Sequence, residues 1–225
     1  MTKEEFLSEI ERALPCVGVV YDAISKLGIT HNDRSNIALP LLLASLDTGE
    51  AALVLLKLRP ERGLVPALAL ERVQIEHVYR AAFFAAVATE RELARFQQNG
   101  NLPVRRLKKR RQQIRVRQIL REVEANLGFQ PSELAELVYP RYEQLSTVIH
   151  GGIEIPRMYW QNDEMGDLRL EDWTKVIPEV RGIVAYLQMA LSVAMMMSPL
   201  DQQGLNAAVQ EATNYLKEYM PSEDE

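Results

Sequence analysis

"ALALERVQIEHVYRAAFFAAVATERELARFQQNG", residues 67–100, is the longest uninterrupted helical pattern in the chain. Apolar residues recur at helical spacing through it, with no internal Gly or Pro, so the spacing predicts one long helix over about residues 66–98. Asn99 and Gly100 supply its stop. Leu68, Tyr79, Phe83 and Val87 form the apolar face, and Arg72 and Glu76, separated by about 40° of helix rotation, fall on that same face. Arg80 extends the ladder by one turn. Burying an isolated charge is expensive, so an arginine and a carboxylate on an apolar stripe must be paired or used. Two readings stand: a structural ion pair that fixes helix register, or a glutamate held by arginine that orients a group on a neighbouring helix.

Upstream, helical signals continue. In "TKEEFLSEIERAL" Phe6, Leu7, Ile10 and Leu14 share a face, and Thr2 with Glu5 makes a capping box. A second short helix is expected after Pro15, ending near Gly28. "NDRSNIALPLLLASLDTGEAALVLLKL" reads as one kinked helix or two, with Pro40 at the disturbance. "RPERGLVP" is read as a turn.

Downstream, "NLPVRRLKKRRQQIRVRQILREVEANLG" reads as a helix with Pro103 in its first turn and Gly128 as its stop. Pro131 and Pro140 each start a further helix, the second ending at Gly151. The segment "GGIEIPRMYWQNDEMGDLRLEDW" is irregular, and helices over about 172–197 and 203–219 complete the chain. Strand alternation is scarce, so the fold class is all-α: a helical bundle forming a single domain over residues 1–225, with N-terminal helices in 1–31 and C-terminal helices in 165–220.

Charge is distributed unevenly. Nine of the 26 Lys and Arg lie in residues 105–121 with no acid among them, leaving 17 cations against 31 acids elsewhere. The first half of that run is charged on nearly every side, so Arg105, Arg106, Lys108, Lys109, Arg110, Arg111, Arg115 and Arg117 are candidate nucleic-acid contacts, or else a solvated arm. No aromatic residues interleave with them, so base stacking is not indicated. A single cysteine, Cys16, excludes an internal disulfide and a multi-cysteine zinc site. The N-terminus lacks the apolar core of a signal peptide, and a cytoplasmic location is expected. Residues 182–197 are too short and too polar for a bilayer span and read as a core helix, so no membrane association is expected.

No Walker A loop, no G-x-G-x-x-G, no H-E-x-x-H and no nucleophile elbow is present, and the three histidines are far apart in sequence. No cofactor and no metal are expected. "YEQLSTVIHGG", residues 142–152, is the remaining candidate. Leu145, Val148 and Ile149 give its helix an apolar face, and Tyr142, Ser146 and His150 follow one flank. His150 stands in the last turn, where the helix dipole favours imidazolium, a form suited to holding phosphate or donating a proton. The alternative is that these groups merely hydrogen-bond within the bundle.

With "ERVQIEHVYRAAFF" carrying Arg72 and Glu76 in an R-x-x-x-E pattern, and "YEQLSTVIHG" carrying Tyr142, Ser146 and His150 in a Y-x-x-x-S-x-x-x-H pattern, the chain resembles a bacterial helical-bundle family related to the HEPN superfamily. The resemblance covers roughly residues 32–155. It implies an up-and-down bundle of four to five helices, homodimeric, of the kind found in phage-defence and toxin–antitoxin settings, with RNA or an antitoxin protein as partner. Catalytic HEPN proteins are metal-independent RNases in which an Arg and a His activate the ribose 2′-OH, leaving a cyclic phosphate. By that resemblance His150, Arg72, Glu76, Ser146 and Tyr142 are the candidate catalytic set. The chain departs from the usual spacing of an Arg four to six residues before the His, since Arg141 lies nine positions before His150, with Gln144 and Leu145 at expected Arg positions. The alternative is a non-catalytic interaction module binding protein or nucleic acid.

Overall fold

The computed structural model describes residues 1–107, 110–127, 133–150, 160–161, 164–165 and 173–220. Its helices are α1 (Lys3–Lys26), α2 (Ser35–Leu58), α3 (Pro60–Ala82), α4 (Glu90–Asn99), α5 (Val116–Leu127), α6 (Glu133–Ile149), α7 (Ile177–Met197) and α8 (Gln202–Tyr219). Two short antiparallel hairpins accompany them: β1 (Val104–Leu107) with β2 (Arg110–Gln113), and the two-residue strands β3 (Trp160–Gln161) and β4 (Glu164–Met165). The class is all-α, a helical bundle.

α2 and α3 form the most extensive pair, α1 packs on α2, α7 and α8, and α7 lies against α1, α2 and α3. α6 packs on α3 and α5. The buried apolar side chains form one cluster that runs from Phe6 in α1 to Leu216 and Tyr219 in α8. Phe6 stacks on Trp173 with ring centroids 4.9 Å apart, which ties the N-terminal helix to the start of α7. Thr2 caps α1 reciprocally with Glu5, the capping box expected from the sequence.

Several expected boundaries are overturned, and proline is the common cause. α1 is continuous through Pro15, α2 through Pro40, α3 through Pro66 and α6 through Pro140. All four prolines are exposed. The missing N–H costs one backbone hydrogen bond, and on a solvent-facing side the carbonyl four residues earlier can turn to water. "RPERGLVP" is therefore no turn. Pro60 opens α3 at its first position, where a missing N–H costs nothing, and only Arg59 separates α2 from α3. Gly63 makes this corner possible, because a Cβ there would overlap the carbonyl oxygen of Leu55.

The long helix expected over 66–98 is split. Residues Phe83–Val87 form a π turn, Ala88 is extended, and Thr89 caps α4 in a second capping box with Glu92. The widened turn lets consecutive Phe83 and Phe84 both be fully buried, edge to face at 5.4 Å. Arg34 Nη1 donates to the carbonyls of Phe84 at 3.2 Å and Ala85 at 3.5 Å, helping to satisfy acceptors at this helix end.

The basic helix is the largest correction. Its first half is the β1–β2 hairpin, with Arg105 opposite Gln112, Arg106 opposite Arg111 and Leu107 opposite Arg110. α5 begins only at Val116, where the apolar stripe of Val116, Leu120 and Val123 starts. Propensity did not carry the helix upstream because no apolar face existed there to bury. α2 and the Trp173–Met197 segment are long and apolar enough to cross a membrane by length and composition, with 39% and 50% of their apolar windows buried in the bundle. The deeper burial of the second accords with its reading as a core helix.

Candidate functional site

α3 and α6 cross with matching four-residue ladders, and the crossing brings Arg72, Glu76, Tyr142 and Ser146 together. Arg72 Nε donates to Ser146 Oγ at 2.9 Å, and its Nη2 donates to Tyr142 Oη at 2.8 Å. Tyr142 in turn donates to Glu76 Oε1 at 2.9 Å. Arg72 Nη2 also lies 3.0 Å from Glu76 Oε1, and Arg80 Nη2 lies 2.7 Å from Glu76 Oε2. The Ser146 hydroxyl donates to its own helix at the Tyr142 carbonyl, 2.8 Å away. Arg72 sits over the Tyr142 ring at 4.9 Å, adding a cation–π contact. Desolvation, then the hydrogen bond to Glu76, raises the Tyr142 phenol above its ordinary value, so it remains a proton donor to that carboxylate.

One face of α6 opens to solvent as a shallow concavity of about 840 Å³, with Tyr139, Tyr142, Ser146 and His150 on its wall. Arg72 and Glu76 are not part of that wall; they stand behind Tyr142 and Ser146 and hold them. His150 is exposed, in the turn after α6, with its backbone N–H bonded to the Ser146 carbonyl at 3.1 Å. Its ring takes no part in the bonds that link the other four. The glycines that follow it, Gly151 and Gly152, lie outside the described residues.

Of the basic candidates, Arg105, Arg106, Arg110 and Arg111 are in the hairpin strands, and Lys108 and Lys109 lie outside the described residues. Arg115 and Arg117 are exposed just before and within α5. Arg117 stacks over the Tyr139 ring at 5.1 Å, and Tyr139 stacks on Tyr142 with centroids 6.3 Å apart. The end of the basic run thus reaches the α6 concavity, a connection that sequence spacing did not anticipate. The Tyr139 phenol is raised chiefly by its hydrogen bond to Glu143, while Arg117 and Arg115 pull in the other direction.

A second polar cluster on the opposite flank of α3 was missed. Arg141 binds Glu71 through two bonds, Nε to Oε1 at 3.0 Å and Nη2 to Oε2 at 2.6 Å, and it also pairs with Glu179 of α7. Glu71 is only 2% exposed. Burial raises its carboxyl above the ordinary value, outweighing the Arg141 guanidinium that pulls it down. A signal was present: Leu64, Ala67, Leu68, Glu71, Ile75 and Val78 form a core stripe with one acid in it. Among the described residues no three His, Cys, Asp or Glu are grouped to hold a metal ion. Cys16 is buried, and burial pushes its thiol up to about 11, away from reactive thiolate character.

No known protein family, curated protein or solved structure matches the chain.

Proposed function

We propose that the chain is an RNA-associated, HEPN-like bundle protein whose α6 concavity and basic hairpin receive the RNA, with His150 as the acid–base group of a metal-independent cleavage. The supporting observation is the stacking of Arg117 over Tyr139 on the same α6 face that exposes Ser146 and His150. Arginines beside stacked tyrosines suit phosphate and base planes together. An exposed imidazole one turn beyond Ser146 can take a proton from a ribose 2′-OH or give one to the leaving oxygen. In this reading Arg72 and Glu76 are positioning residues for Tyr142 and Ser146. The reading also takes the protein to be a cytoplasmic homodimer of a bacterial defence or toxin–antitoxin system, on the strength of the resemblance.

A non-catalytic module is the second reading, favoured by one observation: Arg72 spends its donors on Ser146, Tyr142 and Glu76, inside the bundle. Metal-free incubation of the full chain with labelled RNA at two salt concentrations separates them. Cleavage to a cyclic phosphate, lost in His150→Ala with the fold retained, supports the RNase reading. Binding without cleavage supports the module. For either, replacing both Arg115 and Arg117 with Ala should flatten the slope of log affinity against log salt by about 1.4 if each neutralises one phosphate. Absence of RNA binding in the parent chain defeats the RNase reading and leaves the basic run as a protein-docking surface.

A further inference from the structure

On the flank of α3 away from the concavity, a groove of about 390 Å³ opens between α3, α6 and α7. That volume lies within the range of small-ligand sites. Its walls are apolar, from Leu137, Val138, Pro178, Ala185 and Met189. Its polar lining is deeply set: Glu71 is 2% exposed, Tyr79 3% and Tyr186 9%. Neither phenol makes a hydrogen bond within the described residues, although both are more than nine-tenths buried and line the groove. Their hydroxyl oxygens are not among the fully enclosed unpartnered atoms, so solvent reaches them through the groove and each is free to pair with an entering ligand.

Charge decides what that is. Two carboxylates, Glu71 and Glu179, face one guanidinium. Arg141 has four of its five N–H groups engaged, Nε on Glu71, Nη2 on Glu71 and Glu179, and one of Nη1 on Gln144 at 3.2 Å. An incoming anion would meet excess negative charge and at most one free arginine N–H. An incoming cation would meet carboxylate lone pairs and two phenol oxygens. Gly182 keeps the way open from the α7 side, since a Cβ there would lie 3.3 Å from Glu71 Oε1.

We propose that this groove binds a small amphipathic amine, with its ammonium between Glu179, Glu71 and the Tyr79 and Tyr186 hydroxyls and its apolar body against Leu137 and Met189. The site is separate from the α6 concavity, and its occupancy does not depend on the RNA reading.

The test is isothermal titration of the full chain with phenethylamine and, in parallel, with 3-phenylpropionate, which has the same phenyl body and the opposite charge. The amine should bind about tenfold or more tightly than the acid. Glu179→Gln should weaken the amine by about tenfold, the loss of one charge-assisted contact. Ala185→Trp, at an exposed position on the groove wall, should abolish binding by filling the groove, with circular dichroism checking that each variant is folded. Tyr186→Phe should weaken it a few-fold. Equal or tighter binding of the acid, amine binding indifferent to Ala185→Trp, or no amine binding up to about 10 mM would each overturn the proposal. Should Glu179→Gln not fold, the Ala185→Trp and acid arms decide alone.

Discussion

On one flank of the α3–α6 seam Arg141 reaches Glu71, a side chain 2% exposed; on the other, one residue along each helix, Arg72 reaches across to Tyr142 and Ser146 and along to Glu76, 16% exposed. The ingredients match and the surroundings do not. On the buried flank one arginine serves two carboxylates, and desolvation wins at Glu71, whose proton is held to higher pH. On the half-open flank two arginines and a tyrosine serve one carboxylate. The first arrangement leaves acceptors to spare beside a groove. In the second, Glu76 and Arg72 together hold two hydroxyls at the wall of a concavity.

The largest effect is expected from Arg141→Met. It strands Glu71 in an apolar setting and should cost about 3 kcal/mol in urea unfolding, whereas adding Glu71→Leu should recover most of that loss. A cost no larger than that of a surface change would show that the buried flank is wetter than its burial suggests. Glu76→Gln comes next, at about 2 kcal/mol, because three charge-assisted or phenolic bonds lose their anionic partner.

A smaller effect is read from the pH dependence of stability. Glu71 is raised from 4.5, so above that point the folded chain holds a proton that the unfolded chain has lost, and stability falls as pH rises from 4.5 through the folded value. His77 shifts oppositely, lowered from 6.5 mainly by desolvation, which outweighs the backbone of Ala44 pulling the other way. The unfolded chain protonates it first, so its contribution is lost as pH falls from 6.5 through the folded value. Glu71→Gln should remove the first slope and His77→Gln the second, in stability measured across that range. The smallest change expected is Ser146→Ala, about 1 kcal/mol, since Arg72 keeps Tyr142 and Glu76 when it loses the hydroxyl.

The half-open flank was legible because four-residue spacing is visible on each helix separately. Arg72 with Glu76, and Tyr142 with Ser146, each announce a face, and two such faces on neighbouring helices can meet. Glu71 and Arg141, 70 positions apart, were illegible as a pair because they adjoin Arg72 and Tyr142 in sequence, and only packing reveals which of two adjacent charges turns inward. The helices themselves were legible from periodicity, whereas their ends were not. Pro15, Pro40, Pro66 and Pro140 look like breaks until solvent exposure is known. The hairpin at 104–113 was hidden for a different reason. Its strands are specified by pairing with each other and not by an alternating apolar pattern, and a run of arginines carries no such pattern.

The corner between α2 and α3 has a mechanical reading. With Arg59 alone between the two helices and Gly63 pressed against the Leu55 carbonyl, the angle at which α3 leaves is set by the absence of a single methyl group. Arg72 stands nine residues further along, about 13 Å at a helical rise of 1.5 Å per residue. α3 is therefore a lever with its fulcrum at Gly63. A wedge no bigger than alanine at that fulcrum would swing the far end off α6 and loosen both flanks of the seam at once, without touching a residue of either.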